Sequence, residues 1–359
     1  MIVGLHRQGL IDPIVLSPLE GPLRADYERA GIAVTVVTPP DTGSKAEFER
    51  SIAELGRTFR AFEPEVIYAN TLQTFWVIAA AETIGVPTLW NVHESEAWQS
   101  YFDFLCPELQ AIAYRCFASP YRVVFGSNAT RRVWEPFDSH HNFTAIHNGL
   151  DVERVRERLA GYDRSSARAA LGIDEDEIAV TLLGTVCERK GQHDLVRALH
   201  LLPQGRRRLR VFIVGERPNE YSRKLHAEAA RLSENGGVGV QIVAETGQPL
   251  IYLQASDIAV CTSRSECYPR VVLEKMYFGL PLITTPVFGI AEQVRRDVNA
   301  LFYHPGDVAQ LAAHLTRLVT DVELRTRLGA NGPRVLHSLP SISDTVTGFH
   351  RLFLEARLG

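Results

Sequence analysis

The chain has 359 residues, 45% hydrophobic and 22% charged, with a formal net charge of -4. It is long enough for two domains of ordinary size, and its negative balance leaves no basic excess for a nucleic-acid partner. No run of about 18 apolar residues marks a membrane span. Almost all positive charge is arginine, the only lysines being Lys45, Lys190, Lys224 and Lys275. Cys106, Cys116, Cys187, Cys261 and Cys267 are odd in number and lack a CxxC pair. Reduced cytosolic thiols fit that spacing better than a disulfide framework or a zinc site.

In chain order, Ile2 to Gln8 reads as the last turns of a helix stopped by Gly9, and Pro13 to Ser17 as a strand. Pro22 to Gly31 is a short helix with its stop, and Ala33 to Thr38 a strand. Lys45 to Phe62 has helical spacing, with Phe48, Ile52, Leu55 and Phe59 on one face. Strands follow at Val66 to Tyr68, Thr88 to Val92, Arg122 to Phe125 and Phe143 to Ile146, with helices at Phe75 to Ile84 and Leu109 to Phe117 between them. The polar segment 151–177, with a short helix at Ser166 to Leu171, reads as a linker. The alternation then resumes. Strands are expected at Ile178 to Leu183, Leu209 to Val214, Val240 to Val243, Ile258 to Cys261, Pro281 to Thr284 and Ala300 to Phe302. Helices are expected at His193 to Leu202, Tyr221 to Ser233, Val308 to Leu318 and Ile342 to Leu358. Strands alternating with helices specify parallel sheets covered on both faces.

One stretch, Thr262 to Glu292, carries most of the chemistry. It follows the buried strand Ile258 to Cys261 with a polar loop, a helix over Val271 to Phe278 stopped by Gly279 and Pro281, and another strand. Such a loop lies at the carboxyl edge of a parallel sheet, where open α/β folds bind ligands. Glu266 in the loop and Glu274 in the helix, separated by seven residues, can each accept hydrogen bonds from a diol. Backbone N–H groups at the helix start can face phosphate oxygens. Taken alone, two such glutamates read as an ordinary loop residue and a helix-surface residue.

The surrounding pattern narrows this. SxxE at Ser263 to Glu266, LExM at Leu273 to Met276, GLP at Gly279 to Pro281 and a TxxxG loop leading to Glu292 resemble the donor-binding half of family 4 retaining glycosyltransferases. That resemblance covers nearly the whole chain. It implies a GT-B α/β fold, two Rossmann-like doubly wound parallel-sheet domains facing a cleft. The boundaries expected are 1–150 for an acceptor-side domain, 151–177 for the linker, 178–341 for the donor domain, and 342–359 for a final helix that either packs back on the first domain, as in relatives, or caps the second. Asn148-Gly149-Leu150-Asp151 matches the NGxD that ends the first domain in this family. Members normally begin with a strand and a glycine-containing loop before the first helix. Neither precedes Ile2, so a misassigned start or a fragment is expected.

The resemblance also implies roles. Gly184 to Gly191, GTVCERKG, resembles the family's GRxxxxKG loop, with Lys190 at the lysine that meets the diphosphate. Thr185 stands where the family has arginine, and the adjacent Arg189 is a candidate substitute; a solvated basic turn is the alternative. Fixed cations of this kind stabilise a departing diphosphate without a metal. Gly215 falls in the glycine-rich turn after the next strand, where Arg217 is either a phosphate neighbour or a surface residue. Glu266 would hold the donor sugar and Glu274 the ribose. Tyr268, Pro269, Arg270, Val271 and Val272 occupy the donor loop and helix start, where relatives carry Glu-Gly-Phe-Gly, so the loss of those glycines changes the loop. Gly289 is retained where relatives have two adjacent glycines, the other position being Phe288. His93, after the strand in WNVHE, matches the histidine near the transferred sugar, with Glu94 and Glu96 as acceptor-side neighbours and Asn70, Thr71, Ser127 and Asn128 as lesser candidates.

The implied activity is transfer of a sugar from a nucleoside-diphosphate sugar to a hydroxyl acceptor (a sugar, a lipid-linked glycan or a small molecule) with retained configuration. Attack would come from the front face, the departing phosphate taking the acceptor proton. No cofactor and no metal are expected. Asp174-Glu175-Asp176 contains a DxD, read here as a solvated charge run. The rivals are an epimerase or hydrolase on the same fold and a degenerate, non-catalytic binding subunit. The expected location is cytoplasmic, with peripheral contact at the inner face of the membrane left open. The basic cluster Arg206-Arg207-Arg208 is read as a solvated turn.

Overall fold

The computed structural model describes residues 1–203, 208–234 and 238–358; Arg206 and Arg207 lie outside these. The chain forms two units, one of residues 1–148 with 342–359 and the other of residues 149–341.

In the first unit, β1 (Val15–Ser17) and β2 (Val34–Val36) form a two-stranded parallel sheet. β3 (Ile67–Asn70), β4 (Thr88–Val92), β5 (Arg122–Phe125) and β6 (Phe143–Ala145) form a second parallel sheet in that order. The alternation of side chains along each strand explains how one apolar run serves two layers. On β4 and β5, Trp90, Val92, Val123 and Phe125 join an aromatic core with Phe48, Phe75, Phe102, Phe117 and Trp134. Leu89 and Val124 point the other way, into a cluster with Leu5 and with Val346, Phe349 and Leu352 of the final helix, Ile342–Leu358. That helix is thus a covering layer of the first unit. It is fixed by Thr345 Oγ1 donating to the His147 carbonyl at 2.8 Å and by an edge-to-face contact of Phe349 on Tyr68. Phe349 is 2% exposed. Replacing it with alanine is expected to destabilise the first unit by about 3–5 kcal/mol, read by denaturant unfolding.

The second unit is a six-stranded, all-parallel sheet of β7 (Ile178–Leu183), β8 (Leu209–Glu216), β9 (Val238–Ala244), β10 (Ile258–Cys261), β11 (Leu282–Thr284) and β12 (Ala300–Phe302). The spatial order is β12-β11-β10-β7-β8-β9. Val180, Leu182, Val211, Ile213 and Val260 pack on one side, and Ala179, Phe212, Val214, Ala259 and Cys261 on the other. Strand order reverses at β7, whose neighbours are β8 and β10. The crevice outside the carboxyl ends of β7 and β10 is therefore the switch point at which such sheets take ligands.

Segment 151–177 differs from the linker expected. It folds as two helices, Val152–Arg158 and Arg164–Ala170, started by the side chains of Asp151 and Asp163. Val155 packs with Leu253, Val272 and Met276, Ala167 and Ile173 pack with Ala179 and Phe212, and Arg168 bonds Asp257 at 3.1 Å. These few apolar residues fasten an otherwise charged stretch onto the second unit.

Candidate functional site

Two loops meet at the switch point. β7 runs into Gly184 and then a 3-10 turn, Glu188–Lys190, closed by Gly191 in the left-handed region at φ 66°. β10 runs into residues 262–269 and then the helix Arg270–Tyr277. The loops are laced together: Thr262 Oγ1 donates to the Lys190 carbonyl at 2.6 Å, the Arg264 N–H to the Arg189 carbonyl at 2.8 Å, and Arg189 Nη1 to the Ser265 carbonyl at 2.8 Å. Arg264 Nη2 also meets Asp194 Oδ1 at 3.0 Å, while Asp194 Oδ2 accepts from the Gly306 N–H at 3.0 Å. Asp194 is 1% exposed, so one buried carboxylate pins three segments. A Cβ at position 191 would overlap the Thr262 carbonyl and the Arg264 guanidinium, so this close approach requires glycine.

The lacing brings Glu266, Lys190 and Arg189 together. Glu266 is 7% exposed. Its carboxylate accepts from Ser263 Oγ at 2.8 Å, forms an ion pair with Lys190 Nζ, and lies 3.4 Å from Arg189 Nη1. Its carbonyl accepts from the Gly289 N–H at 3.2 Å, which adds the last expected loop to the cluster. Phe288 stands beside it with φ 43°, a left-handed conformation for which glycine is the natural residue. A phenylalanine in place of one of the expected glycines thus keeps the turn at a conformational cost.

Glu274 lies one turn into the helix, with Arg270 Nε at 3.8 Å. Burial raises its pKa, and Arg270 only partly offsets that. A carboxyl with a raised folded pKa binds its proton more readily folded than unfolded. Its contribution to stability therefore falls as pH rises from the unfolded carboxyl range through the folded value. Glu274→Gln is expected to raise the melting temperature near neutral pH, with the gain disappearing in acid; differential scanning calorimetry across pH reads this. Beside it, Lys275 is fully buried, donates to the Val260 carbonyl at 2.8 Å, and has its pKa lowered by that burial.

Other expected donor residues take different places. Tyr268 is 6% exposed in the apolar core and burial pushes its phenol up to about 12, while the Val272 side chain is wholly buried. Both side chains join the apolar cluster on that side of the sheet. Pro269 precedes the helix and its carbonyl accepts from Gln293 Nε2 at 3.1 Å. Val271 is partly exposed, while Arg270 and Thr185 are exposed. The Thr185 carbonyl accepts from Gln192 Nε2 at 2.9 Å. Gly215, at φ 115°, lets the end of β8 approach the Gly184 turn, since a Cβ there would meet the Gly184 carbonyl at 2.7 Å. Arg217 is held at the surface by Glu245, at 2.7 and 2.9 Å. The sequence reading gave Ser263 no role beyond its place in the SxxE motif and did not name Asp194 or Arg264.

In the first unit, His93 follows β4 and sits among Asn70 and Asn91, at 3.1 and 2.9 Å from its Nε2. Asn91 Nδ2 also donates to the Tyr68 hydroxyl at 2.7 Å. Burial lowers the His93 pKa, which favours the neutral imidazole. Glu94 turns back to accept the N–H groups of Leu72 and His93 at 3.0 and 2.9 Å, and burial raises its pKa. Thr71 holds φ 78° at the end of β3. Ser127 is fully buried and its hydroxyl accepts from the Thr130 N–H, starting the helix Asn128–Trp134; its role there is structural.

Asp174 pairs with Arg208 at 2.9 Å. Among the described residues, no three His, Cys, Asp or Glu side chains gather as a metal-binding group, and no helix is long and apolar enough to cross a membrane.

Two family profiles match the sequence. The one described as Glycosyltransferase Family 4 matches residues 1–154, and the one described as Glycosyl transferases group 1 matches residues 163–335. The chain belongs to the family 4 glycosyltransferases. This family 4 member is 31% identical over 185 residues to a lipopolysaccharide core biosynthesis glycosyltransferase of Rhizobium meliloti, covering 51% of this chain and 52% of that one. It is 29% identical over 193 residues to a D-inositol 3-phosphate glycosyltransferase of Catenulispora acidiphila, covering 52% and 45%. The matches thus span about half the length of these curated relatives. Among solved structures, Anabaena HepE in complex with UDP superposes with a TM-score of 0.80 at 19% identity, covering 99% of this chain and 95% of that one. WaaG, a glycosyltransferase involved in lipopolysaccharide biosynthesis, superposes with a TM-score of 0.72 at 16% identity, covering 98% and 93%. The fold is GT-B, with two Rossmann-like units.

Proposed function

We propose that this family 4 glycosyltransferase moves a sugar from a nucleoside-diphosphate sugar to a hydroxyl acceptor, with retention and without a metal, in glycan or glycoconjugate biosynthesis. The observation that carries this is the grouping of Lys190, Arg189 and Glu266 at the switch point of the second unit. Two cations beside a buried carboxylate, Lys190 with a side chain 16% exposed and Arg189 with one 42% exposed, suit a diphosphate whose charge grows as it departs. Glu266 holds the donor sugar through its hydroxyls, and Glu274 holds the ribose. Neutral His93 exchanges hydrogen bonds with a sugar or acceptor hydroxyl. HepE has been captured with UDP, with UDP and glucose, and with UDP-glucose, which supports a uridine donor as the first to test.

In the reaction, the acceptor oxygen forms a bond to the anomeric carbon. The bond from that carbon to the phosphate oxygen breaks, and its electron pair leaves with the phosphate. The acceptor proton passes to the departing phosphate oxygen. Front-face attack needs no covalent nucleophile, and Glu266 is assigned to holding the sugar. Glu266→Ala is expected to abolish transfer with the fold intact, and proton NMR of the wild-type product to show the donor's anomeric configuration. Wild-type transfer by Glu266→Ala, or an inverted product, would contradict the proposal.

A further inference from the structure

Lys190 and Arg189, the groups suited to a diphosphate, both face the carboxylate of Glu266 in the ligand-free chain. The Glu266 side chain is 8% exposed and that of Lys190 is 16%, so water screens this ion pair weakly. Ser263 Oγ adds a hydrogen-bond donor to the same carboxylate at 2.8 Å. We infer that Glu266 is an internal counter-anion that competes with the diphosphate for Lys190 and Arg189, and so weakens binding of the nucleoside-diphosphate product.

The inference rests on the reading of Lys190 as a diphosphate ligand and goes beyond it by giving Glu266 a second task. An arriving diphosphate must share these cations with Glu266 or draw them away. The apparent affinity is then the intrinsic one reduced by the fraction of time the cations are available. The loops reinforce the competition. Thr262 bonds the Lys190 carbonyl at 2.6 Å, and Arg264 bonds that of Arg189 at 2.8 Å. The main chain of the cationic turn is therefore fixed, and Arg189 Nη1 is also held by the Ser265 carbonyl at 2.8 Å, so a shift between the two anions falls chiefly on the side-chain end of Lys190. With the donor bound, contacts to the sugar compensate for the competition. Once the sugar has gone, the carboxylate retakes the cations and the diphosphate leaves. Glu266 thus holds the sugar when it is present and opposes retention of the product when it is absent.

The test is calorimetric titration of inorganic pyrophosphate and of UDP into the wild type, Glu266→Gln and Glu266→Asp, with thermal melting to check the fold. Glu266→Gln keeps the shape and removes the charge. It is expected to bind both probes about tenfold more tightly than the wild type, with the gap narrowing as salt is raised. Glu266→Asp keeps the charge but withdraws it by one methylene, and is expected to fall between them. If the wild type binds UDP and a normally melting Glu266→Gln binds both probes equally or more weakly, the counter-anion role is overturned and the donor reading stands. If neither protein binds UDP or pyrophosphate, the donor reading falls and this inference falls with it.

Discussion

Lys190→Ala is expected to lower kcat/KM for transfer by about 10²–10³-fold, the usual cost of losing one preorganised group that meets developing charge. The loss should fall mainly on kcat, because the diphosphate gains negative charge as the sugar departs and the ammonium is worth most at that point. Folding should be preserved, because Glu266 keeps Ser263 and Arg189 as partners. Lys224 provides the control. It is 68% exposed and pairs with Glu220 one helical turn away, and such a surface pair contributes little. Lys224→Ala is expected to leave both kinetic constants unchanged.

Gly191→Ala is expected to reduce transfer by about 10²-fold while every charged group of the site remains, since an ångström-scale misplacement can cost that much. The residue holds φ 66°, which costs an alanine about 1–2 kcal/mol. Its new methyl would overlap the Thr262 carbonyl and the Arg264 guanidinium. The guanidinium can swing away, but the carbonyl belongs to the main chain after β10. The two loops must separate, and Lys190 moves away from Glu266. Steady-state kinetics of the single and double variants checks the route: Gly191→Ala combined with Lys190→Ala should cost much less than the product of the two separate losses.

How much of this was legible in the sequence depended on whether the signal was local. Ile178 to Leu183 and Ile258 to Cys261 are short apolar runs bounded by polar residues, and they are strands over those bounds. The amphipathic spacing of Phe48, Ile52, Leu55 and Phe59 marked a helix that starts at Lys45 as read. The final helix spans Ile342–Leu358, as read, and belongs to the first unit. By contrast, Val322–His337 went unread because Gly329, Gly332 and Pro333 punctuate it. Those glycines let the helix lie close to the Gly279 carbonyl, where a Cβ at position 329 would not fit, and to the main chain of Met276, which a Cβ at position 332 would crowd at 3.0 Å. Segment 151–177 looked like a linker because its few anchoring residues find partners that are distant in sequence, such as Leu253 and Met276 for Val155.

The site divides in the same way. Motif spacing singled out Glu266, Glu274 and Lys190, and the structure brings Lys190 and Glu266 into contact. Tyr268 and Val272 were assigned by proximity to the loop, yet their side chains turn into the core, and neighbours along a chain do not reveal which way each one points. Arg264 and Asp194 are 70 residues apart, and no local pattern announces such a pair.

The most direct test of the central claim is calorimetric titration of UDP, GDP and ADP, each with and without EDTA, into the wild type and Glu274→Ala. The expected result is saturable binding of one nucleotide that is indifferent to EDTA and lost in Glu274→Ala. Binding of none, binding that requires a divalent ion, or binding that survives in Glu274→Ala would contradict the account.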